Sequence, residues 1–153
     1  MSNKLTIVTG YFGAPVLQLA EEIAAEENCP LIDLDREIEK RDGRSIKRLV
    51  MMNGEHGYRN NEYEVLAELA KADKALVLAC GDGVLHDEDS RAIIAEGRLI
   101  IAGEDMSPDA LWENARMQTD TYHAFMSFGT DEDKRKAFDS LLERQKKLFG
   151  GKL

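Results

Sequence analysis

The chain of 153 residues carries 29 acidic against 20 basic residues, a formal charge of -9 with a pI near 4.9, and so lacks the basic face that nucleic acid or an anionic membrane demands. Hydrophobic residues at 43% and charged residues at 32% are globular proportions and exclude the profile of a disordered chain. The length predicts one domain over 1–153, and with no basic leader before an apolar stretch and no span fit for a bilayer, the expected location is the cytoplasm.

Leu5 to Thr9 is a short β-branched apolar run that suits a buried central strand, and it ends at the glycine turn Gly10-Tyr11-Phe12-Gly13. From Pro15 to about Glu27, Val16, Leu19, Ala20, Ile23 and Ala24 recur at helical spacing. Pro30 to Asp33 is a second strand. A charged helix begins near Arg36 and stops at Gly43, and Ser45 opens another that Asn53-Gly54 closes. Asn60 to Ala72 reads as a further helix with Tyr63, Leu66, Leu69 and Ala70 as one apolar stripe. Ala75 to Cys80 is the next buried strand, ending in Gly81-Asp82-Gly83. A helix over Asp87–Glu96, a strand over Arg98–Ala102, a helix entered at Ser107-Pro108 and a final long helix from Asp131 to Phe149 complete the chain. The alternation of strand and helix predicts an α/β protein with a doubly wound, mostly parallel sheet. Cys29 and Cys80 border strands without zinc-type spacing and read as reduced structural thiols, and His56 and His86 have no paired ligand, so no metal is assigned to them.

Four local patterns stand in order: Gly10-Tyr11-Phe12-Gly13-Ala14, Ile32-Asp33-Leu34-Asp35, Gly54-Glu55 with Tyr58-Arg59-Asn60-Asn61-Glu62, and Gly81-Asp82-Gly83. Singly each is a weak string; their joint order resembles the shikimate kinase family over about Leu5 to Phe149. Ser45-Ile46, Val65-Leu66 and Ser107-Pro108-Asp109 follow the same pattern. The resemblance implies a three-layer P-loop kinase fold with a mostly parallel five-stranded sheet, shikimate or a related hydroxy acid as ligand, and, in an active member, ATP and magnesium.

By the same resemblance Asp33 lies near the magnesium, Asp35 contacts the shikimate hydroxyls beside the one phosphorylated, and Arg59 and Arg144 bind the shikimate carboxylate. The types suit the chemistry, since a carboxylate can take the proton of an attacking alcohol and a guanidinium fork matches a planar carboxylate. Gly81 and Gly83 would let the backbone approach the ring, and Gly10, Gly13 and Ala14 are the remnant of the nucleotide-binding loop. An Asp after a strand also suits a helix cap, and Asp35 is the candidate for the helix that follows. On the charged stretch Leu141 to Lys147, Arg144 equally suits a solvated face.

The pattern breaks at the phosphates. A working loop reads G-x-x-x-x-G-K-[ST], and here its second glycine, lysine and hydroxyl residue are Pro15, Val16 and Leu17. Each charge-assisted hydrogen bond forfeited is worth roughly 1.5–3 kcal/mol, and one lost transition-state donor costs on the order of 10²–10³ in rate. Between Met117 and Asp133, where the family places a lid arginine, there is no Arg or Lys, and His123 reads as a packed lid residue. Asp82, in place of a family glycine, sets a carboxylate beside the expected ligand carboxylate. The leading reading is a catalytically impaired kinase that keeps an acceptor pocket and serves as a sensor or regulatory companion, with no cofactor. Two others stand beside it: an active shikimate kinase with a remodelled phosphate site, drawing a cation from Lys4, Lys47 or Arg116, and a structural scaffold that forms an oligomer or docks on a partner enzyme.

Overall fold

The computed structural model describes residues 5–72, 74–118 and 121–151. Four strands, β1 (Leu5–Gly10), β2 (Leu31–Asp33), β3 (Leu76–Ala79) and β4 (Arg98–Ala102), form a sheet in the order β2-β3-β1-β4 with every pairing parallel. The described residues also hold six α-helices, of which the first four lie between strands: α1 (Val16–Glu27), α2 (Leu34–Asp42), α3 (Ile46–Ala70), α4 (Glu88–Ile94), α5 (Pro108–Ala115) and α6 (Asp131–Gly151). Short 3₁₀ turns cover Val84–His86 and Ala124–Ser127.

The expected fifth strand is not among the described residues, which hold four. All four β-branched apolar runs of the chain are already in the sheet, and beyond β4 the sequence is turn or helix: Gly103 at φ 90°, α5 capped by Ser107, and α6 with its amphipathic spacing.

Because strand side chains alternate, each strand feeds two cores. Val8, Val77 and Ala79 meet Ala20 and Ala24 of α1 on one face. Ile7, Leu76 and Leu78 meet Leu34, Ile38, Leu49, Leu66 and Phe149 on the other. Each fully buried Leu, Ile or Phe contributes roughly 1.5–3 kcal/mol to this packing. A third cluster gathers Phe12, Leu111, Trp112, Phe138, Leu141 and Leu142, and it ties the first loop to α5 and α6. No helix among the described residues is long and apolar enough to cross a membrane.

Three local expectations change. Gly54, at φ 77° and ψ 171°, breaks α3, but helix resumes directly after it rather than at Asn60, so Glu55, Tyr58, Arg59 and Glu62 all lie on one helical segment. Its buried face is Tyr58, Arg59, Glu62, Val65 and Leu66, while Tyr63 and Ala70 of the expected stripe are exposed. The helix after β2 is capped by Asp33, whose carboxylate accepts from Arg36 N at 3.4 Å, and not by Asp35, which falls in its first turn.

Candidate functional site

The carboxyl ends of β1, β2 and β3 converge, as parallel α/β sheets require, on one crevice. Its cavity of about 330 Å³ is bounded by residues 11–18 of the first loop, by Asp33, Asp35 and Arg36, by Cys80, Gly81 and Asp82, and by Gln118, Thr121 and Tyr122.

The backbone amides of the first loop are bonded within the protein. Tyr11 N donates to Ala102 O at 3.3 Å, Phe12 N to Gln145 Oε1 at 3.0 Å, Ala14 N to Tyr11 O at 2.9 Å and Val16 N to Ala14 O at 2.9 Å. Gly13 sits at φ 98°, and a Cβ there would strike the carbonyl of Leu111, so this glycine is fixed by packing on α5. Gly10 is likewise pressed against Ala102, whose carbonyl would lie 2.5 Å from an added Cβ. Val16 packs in the α1 core and Leu17 is exposed.

Asp35 stands opposite Gly81 and accepts a hydrogen bond from Tyr58 OH at 2.6 Å. Burial pushes its carboxyl up to about 6, against the Tyr58 hydrogen bond that lowers it. With the folded value above the ordinary one, the stability tied to Asp35 is complete below about pH 4 and is lost as pH rises through 6. Denaturant unfolding from pH 4 to pH 7 will show this decline in the native chain and a shallower one in Asp35→Asn.

Arg59 is buried, with its guanidinium carbon 4.6 Å from the ring of Tyr58 and 5.0 Å from that of Tyr122, two rings that pack on each other at 5.3 Å. Its Nη1 donates to Glu62 Oε1 at 2.6 Å, and Nε and Nη2 reach Glu55 Oε2 at 3.4 Å. The fork and the Tyr122 hydroxyl fill the space above Gly83, so any side chain there would collide with both. Glu62 is fully buried, its Oε2 has no hydrogen-bond partner, and burial raises its carboxyl to about 7 despite the adjacent guanidinium.

Asp82 Oδ2 is held by Gln145 Nε2 at 2.8 Å and His123 Nε2 at 2.8 Å. Burial works to raise this carboxyl, but His123, Gln145 and Arg59 outweigh it and hold it below the ordinary value. His123 stacks on Phe12 at 4.5 Å and on Tyr122 at 4.0 Å, so the segment that carries it lies against both the first loop and Arg59.

Of the residues singled out from sequence, Asp33, Asp35, Gly81, Gly13 and Ala14 line the cavity; Gly10, Arg59 and Gly83 stand just behind its wall. Arg144 is not brought there: it is exposed on α6, and its neighbour Gln145 turns inward instead. Lys47 and Arg116 do not line the cavity either, Arg116 pairing with Glu113 at 3.6 Å, and Lys4 lies outside the described residues. Sequence reasoning overlooked Gln145, although the spacing of Phe138, Leu141, Leu142, Gln145 and Phe149 marks the buried face of α6 and leaves Arg144 off it. It also passed over Tyr58 and Glu62 as motif letters and gave Tyr122 no role. No group of three or more His, Cys, Asp or Glu among the described residues is placed to hold a metal ion.

The shikimate kinase family model matches residues 18–148, beginning at the last residue of the first loop. The chain is 34% identical over 112 residues to a shikimate kinase of Aromatoleum aromaticum, covering 73% of this chain and 63% of that one. To a shikimate kinase of Coxiella burnetii it is 38% identical over 103 residues, 66% of this chain and 57% of that one. The match thus spans less than two thirds of these relatives' length. In three dimensions it superposes on the Acinetobacter baumannii shikimate kinase in complex with shikimate with a TM-score of 0.82 at 24% identity, covering 96% of this chain and 78% of that one. The Bacteroides thetaiotaomicron shikimate kinase gives a TM-score of 0.80 at 25% identity, covering 97% and 82%. With a family match running through nearly all of α1 to α6 and the α/β P-loop kinase fold beneath it, the chain belongs to the shikimate kinase family.

Proposed function

We propose that this member of the family binds a small polyhydroxylated ligand in the crevice without carrying out ATP-dependent phosphoryl transfer, and that it acts as a sensor or regulatory companion. The observation that carries the reading is the first loop. The amides of Tyr11, Phe12, Ala14 and Val16 are bonded to protein acceptors, Pro15 has no amide hydrogen, and Val16 and Leu17 stand where a cation and a hydroxyl are needed. A triphosphate does not fit such a loop. Nor does magnesium fit the remaining donors, because Asp33 is engaged as the cap of α2 and the residue that would complete the site is the aliphatic Leu17. No step through ATP or magnesium is therefore assigned.

The pocket itself argues for a retained ligand. Its volume of about 330 Å³ lies in the range of small-molecule sites, and Asp35 meets it with a carboxylate able to accept from hydroxyl groups. Shikimate, the ligand of the Acinetobacter baumannii neighbour, defines the size and hydroxyl pattern of the compounds to try.

The second reading, an active kinase forming shikimate 3-phosphate from ATP, is favoured by the activity for which the relatives are named. It needs a cation from outside the loop, and among the described residues Arg36 lines the cavity wall. Calorimetry with ATP and magnesium, paired with a coupled ADP-release assay, separates the two: the proposal expects neither heat of binding nor turnover, and the alternative expects both.

A further inference from the structure

We infer that Asp82 excludes carboxylate ligands from the crevice and that its ligand is an uncharged polyol. The inference rests on the proposed pocket and narrows what it takes.

The donors at this end of the cavity are already occupied by a carboxylate belonging to the protein. Gln145 Nε2 and His123 Nε2 both meet Asp82 Oδ2 at 2.8 Å, and the Arg59 charge adds to the stabilisation of the same anion. Arg59 is engaged within the protein: Glu62 takes Nη1, Glu55 lies 3.4 Å from Nε and Nη2, and the rings of Tyr58 and Tyr122 pack beside it. A bidentate clamp on an incoming carboxylate requires a guanidinium edge on the cavity wall, and Arg59 does not line that wall. Arg144, the other expected partner, is exposed on α6.

The charges on the cavity wall point the same way. Asp33, Asp35 and Asp82 face it with Arg36 as the opposing cation, and Arg36 also pairs with Glu39 at 3.3 Å. An arriving anion meets three carboxylates in a partly desolvated space where like charges repel strongly. Asp82 has both His123 and Gln145 as donors within the protein, whereas Asp33 accepts from the α2 amide alone and Asp35 from Tyr58 OH alone. Hydroxyl groups, which donate one bond and accept two, match the remaining acceptor capacity of Asp33 and Asp35 together with the amide and hydroxyl side chains of Gln18, Gln118 and Thr121 on the same wall.

The test is calorimetry on the full chain with three ring compounds that differ at one substituent: shikimate, its hydroxymethyl counterpart and its aminomethyl counterpart. The native protein will bind the hydroxymethyl compound at least ten-fold more tightly than shikimate. Asp82→Asn, which keeps the shape and a partner for Gln145, and Asp82→Gly will each close that gap or reverse it. Native protein that binds shikimate as tightly as the alcohol, or the amine more tightly than the alcohol, overturns the inference and leaves the pocket standing. If none of the three binds the native chain or the folded variants, both the inference and the proposed pocket fall.

Discussion

Replacing Glu62 by Ala will lower the unfolding free energy by about 3–5 kcal/mol. Glu62 is fully buried on α3 and its Oε1 lies 2.6 Å from Arg59 Nη1. Without it the buried guanidinium keeps only Glu55, at 3.4 Å and on the exposed side. The cost comes chiefly from that stranded charge, so Glu62→Gln, which retains a carbonyl acceptor, will lose less. The reverse change behaves differently with pH. In Arg59→Ala the stranded group is Glu62, whose carboxyl already lies at about 7 in the native chain, and losing the guanidinium moves it higher still. A protonated Glu62 carries no charge to bury, so Arg59→Ala will be milder at pH 5 than at pH 8, whereas Glu62→Ala will cost more at pH 5 than at pH 8, because the stability tied to a carboxyl raised to about 7 is lost as pH rises through that value. Urea unfolding followed by circular dichroism at the two pH values measures all four numbers.

Gln145→Ala will cost about 2–4 kcal/mol, while Arg144→Ala beside it will change stability by less than about 0.5 kcal/mol. Gln145 is fully buried and makes three hydrogen bonds: Oε1 accepts from Phe12 N at 3.0 Å, and Nε2 donates to Asp82 O at 3.3 Å and to Asp82 Oδ2 at 2.8 Å. The alanine variant leaves a buried amide unpaired, removes one of the two donors on Asp82 and opens a void between α6 and the first loop. Gln145→Glu is the discriminating companion. It keeps the acceptor for Phe12 N but sets a second carboxylate against Asp82, so it will be worse than alanine at neutral pH and recover as the pH falls toward 4. Thermal melts across that range read the difference.

The pairing of Gln145 with Arg144 also marks how far the sequence was legible. The run Leu5 to Thr9 emerges from local pattern because a buried parallel strand needs an unbroken apolar, β-branched stretch, and the shorter apolar core of Arg98 to Ala102 marks the half-buried edge strand β4. The crevice was legible from motif order, and Asp33, Asp35, Gly81 and Arg59 do lie at or just behind it. Legibility failed where polar groups occupy a buried helix face. Arg59 and Glu62 hide the apolar period of α3, which made Tyr63 look buried when it is exposed. On α6 a string of charged letters drew attention to Arg144, although the fold needs an uncharged donor and acceptor one residue later. The internal bonding of the first loop was invisible for another reason: the partners of Tyr11 and Phe12 are Ala102 and Gln145, far along the chain, and only the closed sheet with α6 packed upon it brings them there.

The reading of that loop bears most weight, and one measurement reaches it directly: ADP release in a coupled assay containing ATP, magnesium and either shikimate or its hydroxymethyl counterpart, with calorimetry of ATP binding on the same preparation. The account predicts no ATP binding and no turnover with either compound. Turnover that is lost in Asp35→Asn would contradict it and make the chain a working kinase with a rebuilt phosphate site.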